Sequence, residues 1–175
     1  MKSWAGGAVA ALVLCWAAVA NAETWTILHA GTLIAEPGTA PAREQSVVVK
    51  GGTIARIAPG YLDTDDLDLA DGDTASVIDL KDKTVLPGLI DSHTHITFQM
   101  AENSIELQVT QTDPYEALLG VQYAQRTLAA GFTTIRNVGS RGDAAFALRD
   151  AIARGVVMGP RIQVAGRAMT PTGGH

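Results

Sequence analysis

The pattern of apolar and polar residues divides the chain into a β-rich first part and a second part in which strands and helices alternate. Five short apolar runs predict strands in the first part, at Trp25–His29, Ser46–Lys50, Thr53–Ile57, Ala75–Asp79 and Thr84–Leu86. Gly51-Gly52, between the second and third runs, predicts a hairpin. The first part is therefore expected to be rich in β-strands.

Beyond residue 88 the pattern predicts parallel βα units. The strands are expected at Leu89–Ile96, Phe132–Val138 and Arg161–Ala165. Helical spacing predicts one helix that starts at Asp113 as its cap and ends before Gly131, and a second from Asp143 to Arg154. Strands and helices that alternate at roughly 30 residues fit a barrel and a doubly wound sheet equally well.

His93 and His95 carry the clearest chemistry in the sequence. They lie at the end of the predicted strand Leu89–Ile96, and alternate side chains of a strand share a face, so Asp91, His93 and His95 should point the same way. Neutral imidazole is a common metal ligand, and zinc accepts it readily. We predict His93 and His95 as metal ligands, with Asp91 orienting an imidazole or bonding to the strand end.

The first 22 residues have the pattern of a signal peptide. Lys2 precedes the apolar run Ala8–Val19, which is too short to span a bilayer, and Ala20-Asn21-Ala22 fits a cleavage site. We expect cleavage after Ala22, a periplasmic or secreted location and no stable membrane insertion afterwards. Cys15, the only cysteine, lies in this leader, so the mature chain would contain neither disulfides nor thiolate ligands.

Charge and loop composition exclude several other functions. The 18 acidic residues outnumber the 13 basic ones and no basic patch is present, which argues against a nucleic-acid partner. The acidic segment from Tyr61 to Asp73 lacks the spacing of a calcium-binding loop, and a solvated loop is expected there. Gly139–Gly142 lacks the lysine of a phosphate-binding loop and is expected to be a plain turn.

Three stretches of the sequence carry a resemblance to a known family. Val85–His95 resembles the first metal-binding strand of the amidohydrolase superfamily, and Ala130–Gly139 looks like its second barrel strand. Gly159–His175 resembles the third strand and following loop of the imidazolonepropionase-like branch, which includes Xaa-Pro dipeptidases. The resemblance implies an α/β fold: part of a small β-sandwich in residues 23–85, then the first three βα units of a truncated (β/α)8 TIM barrel in residues 86–175.

The resemblance also implies a function and a set of site residues. It implies a metal-dependent hydrolase that cleaves amide or peptide C–N bonds in a small-molecule or dipeptide substrate. One or two divalent ions, with zinc favoured, would be bound by His93 and His95 together with ligands from later strands that these 175 residues do not contain. His175 would contact substrate at the mouth of the site. Asn137 stands where many relatives have Asp.

Two alternatives to an active hydrolase remain open. Three strands cannot close a barrel and would expose their edges, so the chain alone is expected to be inactive and poorly stable; it would then be a non-catalytic, truncated remnant. Alternatively, the β-sandwich segment is a binding module and the remainder is an incidental tail. The sequence leaves the substrate, the metal count and a homo-oligomer undecided.

Overall fold

The computed structural model describes residues 22–167, 169 and 171. Residues 1–21, which make up most of the predicted leader, and His175 lie outside the described residues. The chain divides into two compact units between Leu86 and Pro87. None of the described helices is both long and apolar enough to cross a membrane.

The first unit consists of strands, and the second alternates strands with helices. The strands of the first unit are β1 (Thr24–Leu33), β2 (Ala42–Lys50), β3 (Thr53–Pro59) and β4 (Thr74–Val85). A short 3-10 helix at Thr64–Asp66 precedes β4. The elements of the second unit are β5 (Leu89–Thr94), α1 (Ser104–Thr110), α2 (Asp113–Ala129), β6 (Phe132–Asn137), α3 (Ala144–Ala153) and β7 (Arg161–Val164).

The first unit is a four-stranded sheet in the order β3-β2-β1-β4. The predicted hairpin joins β2 to β3, and Gly51 and Gly52 adopt φ angles of 55° and 82°, which suit glycine. β4 pairs parallel to β1 and unites the two short strands that the sequence predicted separately. Ala30, Leu33 and Val47 form the apolar cluster of this sheet.

Asp73 ties the acidic loop to the start of β1. Its carboxylate accepts hydrogen bonds from the backbone N–H of Glu23 at 2.8 Å, from Nε1 of Trp25 at 2.9 Å and from the backbone N–H of Ala70 at 3.1 Å. These bonds, led by the one from Glu23, lower the pKa of the Asp73 carboxyl from its ordinary value. The end of the acidic segment is therefore an anchor for the sheet as well as a surface loop.

The second unit places a parallel three-stranded sheet against two helices. The strand order is β5-β6-β7, with α2 before β6 and α3 between β6 and β7. Its buried core joins residues of β6, β7 and both helices with one residue just after β5: Ala124, Ile135, Leu148, Ile162 and Ile96. Gly131 and Gly155 follow the helices with φ angles of 93° and 70°. The predicted α/β class and βα order are confirmed.

Two local features of the second unit differ from the prediction. The sequence pattern did not predict α1. Asp113 was predicted to cap α2, but the cap position is Thr112, and Asp113 is the first residue of the helix. The Asp113 carboxylate instead lies 3.7 Å from Nε of Arg141, in the loop after β6. The Asp113 carboxylate therefore pairs with a residue distant in sequence and does not cap the helix.

Candidate metal centre

The two predicted metal ligands lie side by side at the carboxyl end of β5. Their side chains are exposed, the ring centroids are 5.7 Å apart and the ring planes are inclined at 69°. Two imidazoles that bind one tetrahedral zinc ion have centroids roughly 5 Å apart, as the usual Zn–N distance requires. The separation of the His93 and His95 rings is therefore close to that needed for a shared ion.

The hydrogen bond at His95 sets which ring nitrogen can bind a metal. Nδ1 of His95 lies 2.9 Å from the backbone carbonyl oxygen of Gly139. A carbonyl oxygen only accepts, so Nδ1 carries the proton and Nε2 keeps its lone pair. This is the outer-shell bond that metal-ligating histidines commonly make, and it fixes both the tautomer and the ring orientation. The donor set of the site therefore fits a divalent metal.

The path of β5 differs from the predicted strict alternation. Asp91 pairs with Ile135 and Thr94 pairs with Asn137, so three steps along β5 match two along β6, and the register shifts between Asp91 and Thr94. The predicted regular alternation from Leu89 through His95 is therefore interrupted by an irregularity in the pairing. An extra residue in one strand redirects the side chains that follow it.

Asp91 bonds to the backbone of the strand that carries the histidines. Its carboxylate accepts from the backbone N–H of His93 at 3.0 Å, and no bond from it to either imidazole occurs among the described residues. Of the two roles considered for Asp91, the structure displays the bond to the strand end. The carboxylate is thus placed to hold the backbone of His93 rather than its ring.

A cavity of about 380 Å³ lies beside His95 in the second unit. Asp91 and His95 line it on the strand side, and Tyr123, Arg126 and Thr127 of α2 line it on the helix side. The volume falls in the range of small-molecule sites. Arg126 was not singled out from the sequence, because a single arginine in an amphipathic helix gives no signal of the cavity it will line.

The structure describes only some of the other predicted site residues. Among the described residues, no group of three or more His, Cys, Asp or Glu side chains is arranged to hold one ion. His175, predicted to contact substrate, lies outside the described residues. Near the end of β6, Nε of Arg136 donates to the backbone oxygen of Ser92 at 2.7 Å.

The loop after β6 is fixed to α2 by a partly buried ion pair. Nη2 of Arg141 lies 3.1 Å from Oε1 of Glu116, whose side chain is 8% exposed, and Arg141 also donates to the backbone oxygen of Gln111. Burial raises the pKa of the Glu116 carboxyl, Arg141 opposes that rise, and Asp113 adds to it. The same loop carries Gly139, the partner of His95.

Replacing Arg141 by Met is expected to lower the free energy of unfolding by about 1–3 kcal/mol at neutral pH, because the buried carboxylate loses its cation. Because the pKa of Glu116 is higher in the folded state than in the unfolded state, the ionised carboxylate lowers stability at neutral pH. This loss of stability disappears as the pH falls through the folded-state pKa and Glu116 becomes protonated. The difference from the wild type should therefore shrink on acidification. Chemical denaturation at several pH values measures it.

Arg149→Met is the matched control for that variant. Arg149 pairs with Asp150 at 2.8 Å, but both side chains are well exposed, and exposed pairs contribute about 0–1 kcal/mol. Equal losses in the two variants, or a loss at Arg141 that does not change with pH, would contradict the assigned role of Glu116.

Comparisons with known proteins assign the family. The amidohydrolase family profile matches residues 84–172, which is just over half of the chain and includes His93, His95 and Asn137. A search of curated proteins returned no significant match.

Solved structures match across both units. The chain is 38% identical to a Xaa-Pro dipeptidase with methionine bound in its active site, with a TM-score of 0.74 over 86% of this chain and 35% of that one. It is 29% identical to a prolidase complexed with N-methylphosphonate-L-proline, with a TM-score of 0.70 over 86% and 34%. It is 26% identical to a molinate hydrolase, with a TM-score of 0.66 over 83% and 30%.

The chain spans about a third of the length of these structures. The part that it matches is the N-terminal part of proteins with an amidohydrolase barrel, which agrees with the predicted fold. The profile match, the structural matches and the paired histidines at the end of β5 lead to one assignment: the chain belongs to the amidohydrolase family.

Proposed function

We propose that this protein is a metal-dependent hydrolase of amide or peptide C–N bonds, and that His93 and His95 provide two of its metal ligands. The observation that carries the proposal is the pair of adjacent imidazole rings of His93 and His95. The Nδ1–H of His95 is bonded to the carbonyl oxygen of Gly139, which leaves the lone pair of Nε2 for a metal. A divalent metal bound there would act as a Lewis acid toward the scissile carbonyl and would activate water.

The residues of this chain would prepare the site in three ways. The carbonyl oxygen of Gly139 holds the imidazole of His95 in one tautomer, and Asp91 holds the backbone N–H of His93. The cavity beside His95 gives a small substrate room to approach that ligand. Preorganised ligands lower the ordering cost of metal binding.

We further propose an Xaa-Pro dipeptide as the substrate, zinc as the metal and export after cleavage following Ala22. The matches to a Xaa-Pro dipeptidase and a prolidase support the substrate class. The imidazole ligands suit zinc, and the leader pattern supports export. The molinate hydrolase among the matches carries the name of a different substrate, so an Xaa-Pro dipeptide has to be tested against other amides.

The test is hydrolysis of Xaa-Pro dipeptides by protein made from its complete reading frame, before and after chelation. We expect chelation to reduce the rate by roughly two orders of magnitude or more and added Zn²⁺ to restore it. A dipeptide with Ala in place of Pro is the matched substrate control. Hydrolysis that resists chelation would contradict the metal role, and no hydrolysis with Zn²⁺ present would favour the non-catalytic remnant or the binding module.

A further inference from the structure

We infer that the side chain of Asn137 is a positioning residue for the metal ligand His95. The inference rests on the proposed metal role of His95, and its test separates the two. Asn137 is the last residue of β6 and is 0% exposed. Its Oδ1 accepts a hydrogen bond from the backbone N–H of Ile96, the residue directly after His95, at 2.8 Å.

The bond from Asn137 is one of several that join the end of β6 to the end of β5, and two others come from the residues directly after it. The backbone N–H of Val138 donates to the carbonyl oxygen of Thr94 at 3.0 Å, and the carbonyl oxygen of Gly139 accepts from Nδ1 of His95 at 2.9 Å. Three successive residues of one segment thus bond to three successive residues of the other. Of the bonds made by residues 137–139 to Thr94, His95 and Ile96, only that of Asn137 uses a side chain at the β6 end.

The backbone of Asn137 is itself firmly placed. Its carbonyl oxygen accepts from the N–H of Ala165 at 3.0 Å, and the residue pairs with Val164 of β7. On the other side, the Ile96 side chain is 5% exposed and packs in the apolar core. The Asn137 amide therefore holds the backbone next to His95 at a fixed position relative to the sheet. That position in turn sets the distance between the His95 ring and the carbonyl oxygen of Gly139.

The unpaired NH₂ group of the Asn137 amide indicates that its oxygen, the acceptor, is the functional part. Nδ2 of Asn137 is buried and has no hydrogen-bond partner among the described residues. An unpaired buried donor lowers stability, so the side chain does not serve stability alone. A leucine of similar size would remove both halves of the amide, whereas an aspartate would keep the acceptor and remove the unpaired donor.

The experiment compares three variants of the full chain. Asn137→Leu removes the acceptor and Asn137→Asp keeps it. Ser46→Ala is the matched control, because Ser46 is also 0% exposed and its Oγ also accepts from a backbone N–H, that of Leu62 at 2.9 Å, in the first unit. The readouts are Zn²⁺ affinity, measured by competition with a chelator, and the tautomer of His95 in metal-free protein, measured by ¹⁵N NMR.

We expect Asn137→Leu to lower Zn²⁺ affinity by about 10–100-fold, the usual effect of losing an outer-shell bond, and to reduce the Nδ1–H tautomer of His95. Asn137→Asp should retain the wild-type tautomer and an affinity within about threefold of the wild type. Ser46→Ala should lower only the melting temperature. The inference is overturned if Asn137→Leu has the same Zn²⁺ affinity and the same His95 tautomer as the wild type. It is also overturned if His95 in the wild type is the Nε2–H tautomer. The second outcome can be observed even if Asn137→Leu fails to fold.

The same measurements separate this inference from the proposed function. If the wild type does not bind Zn²⁺ through its histidines, the proposed function fails, while the tautomer still shows whether Asn137 orients His95. If the wild type binds Zn²⁺ through His95 and Asn137→Leu binds it equally well, the inference about Asn137 fails and the proposed function stands.

Discussion

Replacing His95 by Ala in the full chain is expected to lower Zn²⁺ affinity by more than about 100-fold, because losing even an outer-shell partner costs about 10–100-fold. The Nε2 donor of His95 is lost outright, and the adjacent His93 ring then has no imidazole partner within the described residues. Hydrolysis should fall in parallel if the proposed function is right. Calorimetric titration with Zn²⁺ measures the affinity, and circular dichroism checks that the variant is folded.

His29→Ala is the matched control for that result. His29 is 8% exposed in the first unit, and its Nε2 lies 2.7 Å from the backbone oxygen of Leu62, so it too is a histidine bonded to a carbonyl. Its replacement should lower stability and leave Zn²⁺ affinity unchanged. Equal affinity losses at His29 and His95 would mean that the effect at His95 reflects general loosening of the fold.

Replacing Gly31 by Ala is expected to destabilise the first unit by more than about 3 kcal/mol, the range of severe steric disruption. Gly31 lies in β1, where the pairing with β4 shifts register between Ala30 and Thr32. A Cβ at this position would overlap the backbone carbonyl oxygen of Lys81, and a backbone atom in a paired strand cannot move aside as a side chain can. Denaturant unfolding and soluble yield measure the loss.

Gly38→Ala separates this steric effect from the ordinary conformational effect of removing a glycine. Gly38 has a φ angle of 82° and no atom within 4 Å of the position that a Cβ would occupy. Its replacement should cost about 1 kcal/mol through backbone conformation alone. If Gly31→Ala costs no more than Gly38→Ala, the close approach of β1 and β4 at Lys81 is not what the structure describes.

Features set by a few neighbouring residues were predictable from the sequence. Gly51-Gly52 forms the expected hairpin, and Gly131 and Gly155 follow the two predicted helices, because left-handed backbone geometry is needed at these points and glycine adopts it readily. The paired histidines could be recognised for the same reason, since two residues that are two positions apart need no distant contact to become neighbours.

Features set by contacts between distant segments were not predictable from local patterns. The sequence pattern predicted two short strands at Ala75–Asp79 and Thr84–Leu86, yet pairing with β1 makes β4 continuous. Asp113 was predicted to cap α2, but in the structure its carboxylate pairs with Arg141. The register shift in β5 depends on how β6 lies beside it, which no pattern within Leu89–Ile96 encodes.

The candidate site likewise combines features that the sequence could predict with features that it could not. His93 and His95 were found from their spacing, whereas the groups proposed to position His95 come from residues about 40 positions away, Asn137 and Gly139. Asn137 was noted only as a departure from the residue common in relatives. Its role as acceptor for the Ile96 N–H follows from the parallel pairing of β5 and β6, which places both strand ends at the same edge of the sheet.

X-ray absorption at the zinc edge tests the central claim most directly. The protein from the complete reading frame, loaded with Zn²⁺, should show imidazole scattering with nitrogen at about 2.0–2.1 Å. In the His93→Ala, His95→Ala double variant we expect that scattering to lose two imidazoles or the bound zinc to disappear. An unchanged spectrum with unchanged zinc content in the double variant would contradict the claim that these two histidines hold the metal.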